Sequence, residues 1–254
     1  LIAVSRSAET TETLRAVEVF KRRAGDNVLT VTVYGDRELA QRSAYRLVTQ
    51  GAEEKSVAQT RSFSSMYLLT LAAAGLAAGQ TEMVPLLRQA AQAFAPFVSR
   101  HEALARQLAE DTRLEKFVFL GSGANYGLAC EAMLKMKEMS LSPSEAFHFL
   151  EFRHGPMSVV TPDTLIVGLL GDTARNEEIK VLKDMQALGA KVLAISETGE
   201  GLRSDYTVTL DSGLAELPRS PLLLPVLQLL AFYRAYAKGL DPDRPTNLEA
   251  VVRL

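Results

Sequence analysis

Hydroxyl-bearing side chains cluster near the start of the chain. Ser5, Ser7, Thr10 and Thr11 lie within seven residues, together with Arg6. The cluster follows an apolar segment and precedes a segment with helical spacing, so we expect it at a helix N-terminus, where unpaired N–H groups and the helix dipole favour anions. Hydroxyls there can complete a phosphate site. An ordinary N-cap at Thr10 or Thr11 is the alternative, but four hydroxyls and an arginine favour the phosphate site.

A second polar stretch, residues 54–63, also leads into a predicted helix. It contains Val57, Gln59 and Thr60. By itself this stretch fits a helix cap and a wall of a ligand site equally well.

Two further residues could transfer protons. Glu138 lies near the end of a predicted helix, where the dipole disfavours a carboxylate, and the alternative is a solvated helix end. His154 precedes a Gly-Pro pair, which predicts a turn rather than a regular element. His101 and His148 fall in helix or strand contexts, so we interpret them as ordinary structural residues.

The sequence predicts no metal and no organic cofactor. Three scattered histidines lack the spacing of a metal site. The Gly-Ser-Gly stretch at residues 121–123 resembles a dinucleotide-binding turn but lacks the third glycine. The single cysteine, Cys130, excludes a disulfide framework and a cysteine-based zinc cluster, and it fits a cytoplasmic protein.

The composition is that of a globular chain. The 254 residues are 47% hydrophobic and 23% charged, with a net charge of −2, which allows one large domain or two small ones. No apolar run reaches the length of about 18 residues that a membrane span needs. The mildly acidic balance offers no electrostatic reason to expect nucleic acid or an anionic membrane as a partner.

Hydrophobic periodicity predicts alternating strands and helices, and therefore an α/β fold with parallel sheets. The predicted strands are 1–4, 28–34, 45–49, 116–120, 164–170, 190–195 and 206–210. The predicted helices are 11–23, 60–76, 82–108, 125–139, 177–188 and 222–238. In the first of these, Leu14, Val17 and Phe20 are predicted to share one apolar face.

The pattern of the first half recurs in the second. At an ungapped offset of 164, Leu1-Ile2 falls on Leu165-Ile166, Gly25 on Gly189, and Val28-Leu29 on Val192-Leu193. This repeat predicts two α/β halves, residues 1–108 and 109–254. No counterpart of the strand at 117–120 exists in the first half, and the chain has no initial Met. We therefore expect roughly fifty residues, including a strand and a helix, to precede Leu1 in the natural protein.

The repeat also supplies an internal control for the hydroxyl cluster. At the same offset, Ser5 and Ser7 become Leu169 and Gly171, and Asp172 enters the loop. We therefore predict that the loop in the second half is structural and that only the first half binds an anion.

Taken together, these stretches resemble the double sugar-isomerase (SIS) domain family, in particular the isomerase half of glucosamine–fructose-6-phosphate aminotransferases and stand-alone amino-sugar-phosphate deaminases and deglycases. The resemblance spans nearly the whole chain and implies two SIS subdomains, each a flavodoxin-like three-layer αβα sandwich. It rests on Ser-x-Ser-x-Glu-Thr at 5–10, Val-Ala-x-Thr-x-x-Phe at 57–63, Leu-Lys-x-Lys-Glu at 134–138, Glu-Phe-Arg-His-Gly-Pro at 151–156 and Asp-Pro-Asp-x-Pro-x-Asn-Leu at 241–248.

The resemblance implies a phosphate site. Ser5, Ser7 and Thr10 would hold the phosphate of a hexose-6-phosphate, helped by N–H groups around Arg6. The second polar loop, with Val57, Gln59 and Thr60, would contribute to the ligand site.

The resemblance also implies proton transfer without a metal or cofactor. Glu138 would be the base that moves a proton between C1 and C2 of the sugar, and His154 would assist ring opening. In the family this histidine reaches a neighbouring subunit's site, which implies a homodimer. Aldose–ketose isomerisation needs such a base and a second proton carrier.

The chain departs from the family pattern in three ways. Glu249 and Ala250 stand where the aminotransferases carry a tail lysine, so that amine is absent. Ala8 replaces a glycine, and its Cβ restricts the loop. Gln59 replaces a hydroxyl residue. We expect a cytoplasmic isomerase, deaminase or deglycase of an amino or N-substituted hexose-6-phosphate. The alternative is a sensor that binds the sugar phosphate without turnover, and a nucleotide-binding Rossmann domain is disfavoured.

Overall fold

The computed structural model describes residues 1–251, and residues 252–254 lie outside this description. The chain divides into two compact units. The first unit comprises Leu1–Pro85 and the tail from Thr246, and the second comprises Leu86–Pro245. These units differ from the predicted halves 1–108 and 109–254. The predicted boundary falls near the end of a continuous helix, Met83–Glu110, whose regular periodicity does not reveal which unit it joins.

The first unit contains a three-stranded parallel sheet in the order β1-β2-β3. Its elements are β1 (Ile2–Val4), α1 (Thr11–Ala24), β2 (Leu29–Thr32), α2 (Glu38–Gln41), β3 (Tyr45–Val48) and α3 (Arg61–Ala77). Helix α1 ends at Gly25, whose φ of 87° is accessible to glycine without a steric penalty. The three predicted strands of this half are confirmed.

The apolar face predicted for α1 is confirmed as well. Val17 is buried, and Leu14 and Phe20 pack beside it against the cluster that contains Ala3 and Ala8. This packing attaches the start of α1 to β1, because both ends of the intervening loop are anchored in one apolar cluster. The loop at residues 5–10 is thus held at the carboxyl end of β1.

The second unit contains a five-stranded parallel sheet in the order β5-β4-β6-β7-β8. The chain leaves β4 towards β5 on one side and returns to β6 on the other. Its elements are α4 (Met83–Glu110), β4 (Lys116–Gly121), α5 (Ala124–Ser140), β5 (Ser144–His148), α6 (Phe149–Phe152), β6 (Thr164–Leu169), α7 (Arg175–Ala187), β7 (Lys191–Ser196), β8 (Tyr206–Thr209), α8 (Glu216–Arg219) and α9 (Leu224–Ala237), with 3-10 turns at Pro156–Val159 and Ser220–Leu223.

Strand β5 was absent from the sequence prediction. Its five residues, Ser-Glu-Ala-Phe-His, show no clear alternation, and only the first is buried. The strand forms because it pairs along β4 at the edge of the sheet, with Phe117 opposite Ser144. A short edge strand of this kind depends on its neighbour more than on its own residues.

The internal repeat needs a correction in its register. The strand pairs β1–β2 and β6–β7 are both parallel. However, Ile2 pairs with Leu29, a separation of 29 − 2 = 27, whereas Ile166 pairs with Val192, a separation of 192 − 166 = 26. A single offset of 164 therefore cannot superpose both strands, and the second half is one residue shorter between them.

Within the described residues, none of the helices combines the length and the hydropathy that crossing a bilayer requires. The same residues contain no group of three or more His, Cys, Asp or Glu side chains arranged to hold a metal ion.

Candidate functional site

The hydroxyl loop, residues 5–10, connects β1 to α1. Ser5 Oγ accepts a hydrogen bond from the Ala8 N–H at 3.2 Å, and Ser7 Oγ accepts one from the Glu9 N–H at 3.2 Å. Ser7 Oγ also lies 3.3 Å from Thr10 Oγ1. Thr10 is the N-cap residue of α1, but its side chain makes no capping hydrogen bond. The structure thus brings Ser7 and Thr10 together at the start of α1 and holds Ser5 in the same turn.

Ala8 adopts a left-handed conformation in this loop. Its φ is 53° and its side chain is fully buried, and the Leu39 N–H donates to its carbonyl at 2.9 Å. A Cβ in this region costs about 1–2 kcal/mol relative to glycine. Ala8 thus adopts the left-handed backbone conformation that favours glycine, at an energetic cost. Its methyl group packs in the core, which offsets part of that cost.

Arg6 connects the hydroxyl loop to the second polar loop. Its side chain is buried, and Nη1 donates to the Ser56 carbonyl at 2.9 Å and lies 3.9 Å from Glu54 Oε1. The guanidinium is therefore engaged by the protein itself. Arg6 fixes the spacing of the two loops, and a ligand role for its backbone N–H remains a prediction.

The second polar loop caps α3 with a carboxylate. Glu54 accepts hydrogen bonds from the backbone N–H groups of Thr60, Arg61 and Ser62 at 3.1, 3.1 and 3.3 Å. Thr60 Oγ1 also donates to Glu54, at 3.0 Å. A negative charge at a helix N-terminus is favourable, so this loop functions as a cap, and the residue responsible is six positions before the N-cap Thr60.

The ligand role predicted for the second loop stays a prediction. Val57, Gln59 and Thr60 are each half-buried. Gln59 Oε1 accepts a hydrogen bond from Ser62 Oγ at 3.3 Å, which orients its amide within the loop.

A cavity of about 170 Å³ opens beside the hydroxyl loop, and Ser7, Lys55 and Ala250 are among its lining residues. Arg37 and Glu9 also line it and form an ion pair at 2.7 Å. The hydrogen bond and charge of Glu9 raise the pKa of the Arg37 guanidinium. The tail position that departs from the family pattern, Ala250, therefore lines the same cavity as a predicted phosphate ligand.

The predicted base lies on α5 beside a buried lysine. Lys135 Nζ lies 2.5 Å from Glu138 Oε2 and 3.5 Å from Glu131 Oε1. The Lys135 side chain is only 3% exposed, whereas the Glu138 side chain is 22% exposed. The ammonium offsets the unfavourable helix dipole at Glu138 and restrains the carboxylate while leaving it accessible.

Sequence reasoning assigned no role to Glu131 or Lys135. The signal was present, because charged residues at 131, 135 and 138 follow the i, i+4, i+7 spacing of one helix face. That spacing predicts neighbouring charges, but burial of the lysine depends on the packing of α5 against the sheet and α9.

His154 lies in a turn, as predicted. It follows α6, its N–H donates to the Glu151 carbonyl at 2.9 Å, and Gly155 adopts a φ of 132° before the 3-10 turn begins. The side chain is exposed. His148 ends β5 and stacks on Tyr126 at 3.9 Å between ring centroids.

His101, predicted to be structural, lies on α4. It is 9% exposed and packs against Phe97, and burial lowers the pKa of its imidazole.

The corresponding loop of the second unit, residues 170–174, is closed by its own carboxylates. Glu178 Oε2 accepts the Gly171 N–H at 2.9 Å, and Glu216 Oε2 accepts the Asp172 N–H at 2.6 Å. Arg219 is buried and pairs with Asp172 through both nitrogens. Backbone donors in this loop thus already face negative charge, which supports its predicted structural role.

These features agree with comparisons to known proteins. The family model described as SIS domain matches residues 113–213, which contain β4 to β8. The glutamine–fructose-6-phosphate aminotransferase of Sulfolobus acidocaldarius is 33% identical over 258 residues, which cover 99% of this chain and 42% of that relative. The chain thus spans less than half the length of such curated relatives.

Solved structures extend the likeness to both units. The chain is similar to the C-terminal domain of glucosamine-fructose-6-phosphate aminotransferase from Francisella tularensis (TM-score 0.84, 26% identity, 96% of this chain, 73% of that one). It is also similar to the glucosamine-6-phosphate deaminase of Thermotoga maritima (TM-score 0.82, 30% identity, 100% of this chain, 75% of that one). The chain belongs to the SIS-domain family.

Proposed function

We propose that this chain binds a hexose-6-phosphate that carries an amino or N-substituted group, with the phosphate at the hydroxyl loop. The arrangement of Ser5, Ser7 and Thr10 carries the proposal. The Ser7 and Thr10 hydroxyls lie 3.3 Å apart at the start of α1, Ser5 is held in the same turn, and Ser7 lines a cavity. Phosphate oxygens accept hydrogen bonds from hydroxyls and from N–H groups at a helix N-terminus. Val57, Gln59 and Thr60 form a further wall of this ligand site.

The reaction we propose is a proton transfer between C1 and C2 of the open-chain sugar. Glu138 removes the proton from the carbon next to the carbonyl, the electron pair forms an enediol, and the same carboxylic acid returns the proton to the other carbon. His154 exchanges the proton of the sugar oxygen and assists ring opening. Lys135 restrains the Glu138 carboxylate, which keeps the base oriented toward the C1 and C2 atoms of the sugar. Isomerisation, deamination and deglycation share this first step.

We also propose a domain organisation, a cellular location and an oligomeric state for the protein. Residues 1–108 and 109–254 correspond to two SIS domains, and the protein is a cytoplasmic homodimer. The exposed His154 turn supports the dimer, because an imidazole in an exposed turn can reach a neighbouring subunit's site.

Turnover in matched variants tests the reaction. Wild type, Glu138→Gln and the control Glu177→Gln, which alters an exposed carboxylate on α7, are assayed with fructose-6-phosphate and glucosamine-6-phosphate. We expect Glu138→Gln to lower kcat by roughly 10²–10⁴-fold, because the general base is lost, with binding retained. The control should match wild type. Equal turnover in Glu138→Gln and wild type would refute the role of Glu138.

A non-catalytic sensor of sugar phosphate is the second candidate function. The tail position that lines the cavity beside Ser7 is Ala250, which carries no amine, and this favours the sensor. Binding of either sugar phosphate without turnover in wild type and in Glu138→Gln would establish the sensor and exclude the enzyme.

A further inference from the structure

The cavity beside Ser7 is lined by three cationic side chains. Arg6, Arg37 and Lys55 reach the same space of about 170 Å³ that Ser7 lines. Two carboxylates, Glu9 and Glu54, line it as well. The lining therefore carries a net charge of 3 − 2 = +1.

The two arginines are already balanced by the two carboxylates. Arg37 pairs with Glu9 at 2.7 Å, and its guanidinium carbon lies 5.3 Å from the centre of the Tyr34 ring. Arg6 lies 3.9 Å from Glu54, and both side chains are 8% exposed. Each guanidinium therefore already has a carboxylate partner for its positive charge.

Lys55 is different. Across residues 1–251, no acceptor lies within hydrogen-bond or ion-pair distance of its Nζ. The residue is exposed and follows Glu54, whose carboxylate is committed to α3. The excess positive charge of the cavity thus resides on an exposed side chain that has no internal partner within residues 1–251.

A phosphate monoester carries close to two negative charges at neutral pH. The hydroxyls of the hydroxyl loop donate hydrogen bonds but carry no charge. A cation at the same cavity forms shorter and stronger hydrogen bonds with phosphate oxygens than neutral donors do. An unpaired lysine also loses no internal partner when it binds.

We propose that Lys55 is a substrate-binding residue whose ammonium contacts the phosphate of the sugar in the cavity beside Ser7. This inference rests on the proposed function, and it adds a charged ligand from the loop between β3 and α3. Ala250, whose small side chain lines the same cavity, is then a position from which a second lysine could reach the same anion.

Calorimetric titration of the full chain with fructose-6-phosphate tests this role. We expect Lys55→Ala to weaken binding about tenfold and Lys55→Arg to stay within about threefold of wild type, because the charge is kept. Affinity for unphosphorylated fructose should not change. Lys180→Ala, which removes an exposed lysine of α7, is the matched control and should bind as wild type does.

Moving the charge within the cavity gives a second, independent readout. We expect the double variant Lys55→Ala with Ala250→Lys to recover most of the lost affinity, because the ammonium returns to the same cavity from the tail. Added salt should reduce the difference in fructose-6-phosphate affinity between wild type and Lys55→Ala, because salt screens a charge contact at an exposed site. Unchanged thermal melting of Lys55→Ala would show that the variant is folded.

The outcomes separate the two proposals. Binding of Lys55→Ala within twofold of wild type, while Ser7→Ala weakens it, would overturn the role of Lys55 and leave the proposed function standing. Failure of wild type to bind fructose-6-phosphate or glucosamine-6-phosphate would remove the proposed function and this inference with it.

Discussion

Two loops of this molecule each connect a strand to a helix, but different groups accept the hydrogen bonds from their backbone N–H groups. The hydroxyl loop connects β1 to α1, and residues 170–174 connect β6 to α7. In the first, serine hydroxyls accept the N–H groups of Ala8 and Glu9. In the second, the carboxylates of Glu178 and Glu216 accept the N–H groups of Gly171 and Asp172.

The difference decides which loop can receive an anion. A hydroxyl is neutral and has a proton to donate, so it can accept from the backbone and still donate to a phosphate oxygen. A carboxylate only accepts, and its charge repels a second anion. The hydroxyl loop therefore keeps hydroxyl donors available at this position, whereas carboxylates close the corresponding loop of the second unit.

The largest expected effect comes from opening the second loop. Arg219 is 4% exposed, donates to Asp172 and to the Leu214 carbonyl at 3.0 Å, and lies 3.6 Å from Glu197. We expect Arg219→Met to lower the free energy of unfolding by about 1.5–3 kcal/mol, because the Leu214 carbonyl and Glu197 lose a charged partner, whereas the Asp172 side chain is 56% exposed and water can solvate it. Denaturant titration of the second unit measures the loss.

The control for that variant is Arg113→Met, since the Arg113 side chain is 84% exposed and its ion pair should contribute little. The hydrogen bonds from Arg219 lower the pKa of Asp172. The ionised Asp172 thus stabilises the fold above its ordinary pKa, and this contribution is lost as the pH falls. Wild type and Arg219→Met should therefore converge in stability at acid pH, and a constant difference down to acid pH would contradict this account.

The next effect concerns binding. We expect Ser7→Ala to weaken fructose-6-phosphate about tenfold, or about 1.4 kcal/mol, with unphosphorylated fructose unaffected. Thr173→Ala removes a hydroxyl from the second loop and should leave binding unchanged. Calorimetric titration measures both variants. Equal losses for phosphorylated and unphosphorylated sugar would show that Ser7 is not a phosphate ligand.

A smaller effect is expected at Glu178, one of the two carboxylates that accept backbone N–H hydrogen bonds from residues 170–174. Burial raises the pKa of its carboxyl, opposed by the hydrogen bonds from Ser122 and the Gly171 N–H. Because the pKa is raised in the folded state, the contribution of this carboxyl to the free energy of unfolding is present below its ordinary pKa. That contribution is lost as the pH rises through the raised pKa. We therefore expect Glu178→Gln to gain stability relative to wild type as the pH rises above the ordinary carboxyl pKa of 4.5. Thermal melting across pH should show this gain, and a gain that grows towards acid pH would refute it.

The smallest effect is expected at Ala8. Replacement by glycine relieves about 1 kcal/mol of left-handed strain, but it removes a buried methyl group worth about 0.8 kcal/mol and adds freedom to the unfolded chain. We expect the free energy of unfolding of Ala8→Gly to stay within about 1 kcal/mol of wild type. A larger loss, measured by denaturant titration, would show that the Ala8 methyl matters to the core beyond its area.

Much of the fold followed from local patterns. The face of α1 with Leu14, Val17 and Phe20 was confirmed, because helical periodicity directly reports which side is buried. The turn at His154 was confirmed, because Pro156 disfavours a helical conformation at the residue before it and so ends the preceding helix. Edge strand β5 was missed, since its pairing partner, and not its own residues, makes it a strand.

The candidate site was only partly open to prediction. The hydroxyl loop was identified by residue type, and Glu138 and His154 by motif. The neighbours that restrain these residues were not identified. Lys135 is buried by packing that no local window contains, and Glu54 caps a helix whose N-cap lies six residues later.

The sequence by itself determined the α/β alternation, the position of the hydroxyl cluster after a strand, and the loss of both serines from the second loop. Each of these depends on residue types within a short window. Only the tertiary structure decided which loop has its backbone N–H groups bonded to carboxylates. Glu216 and Arg219 reach Asp172 from 44 and 47 residues away, and such partners become neighbours only when the sheet and helices assemble.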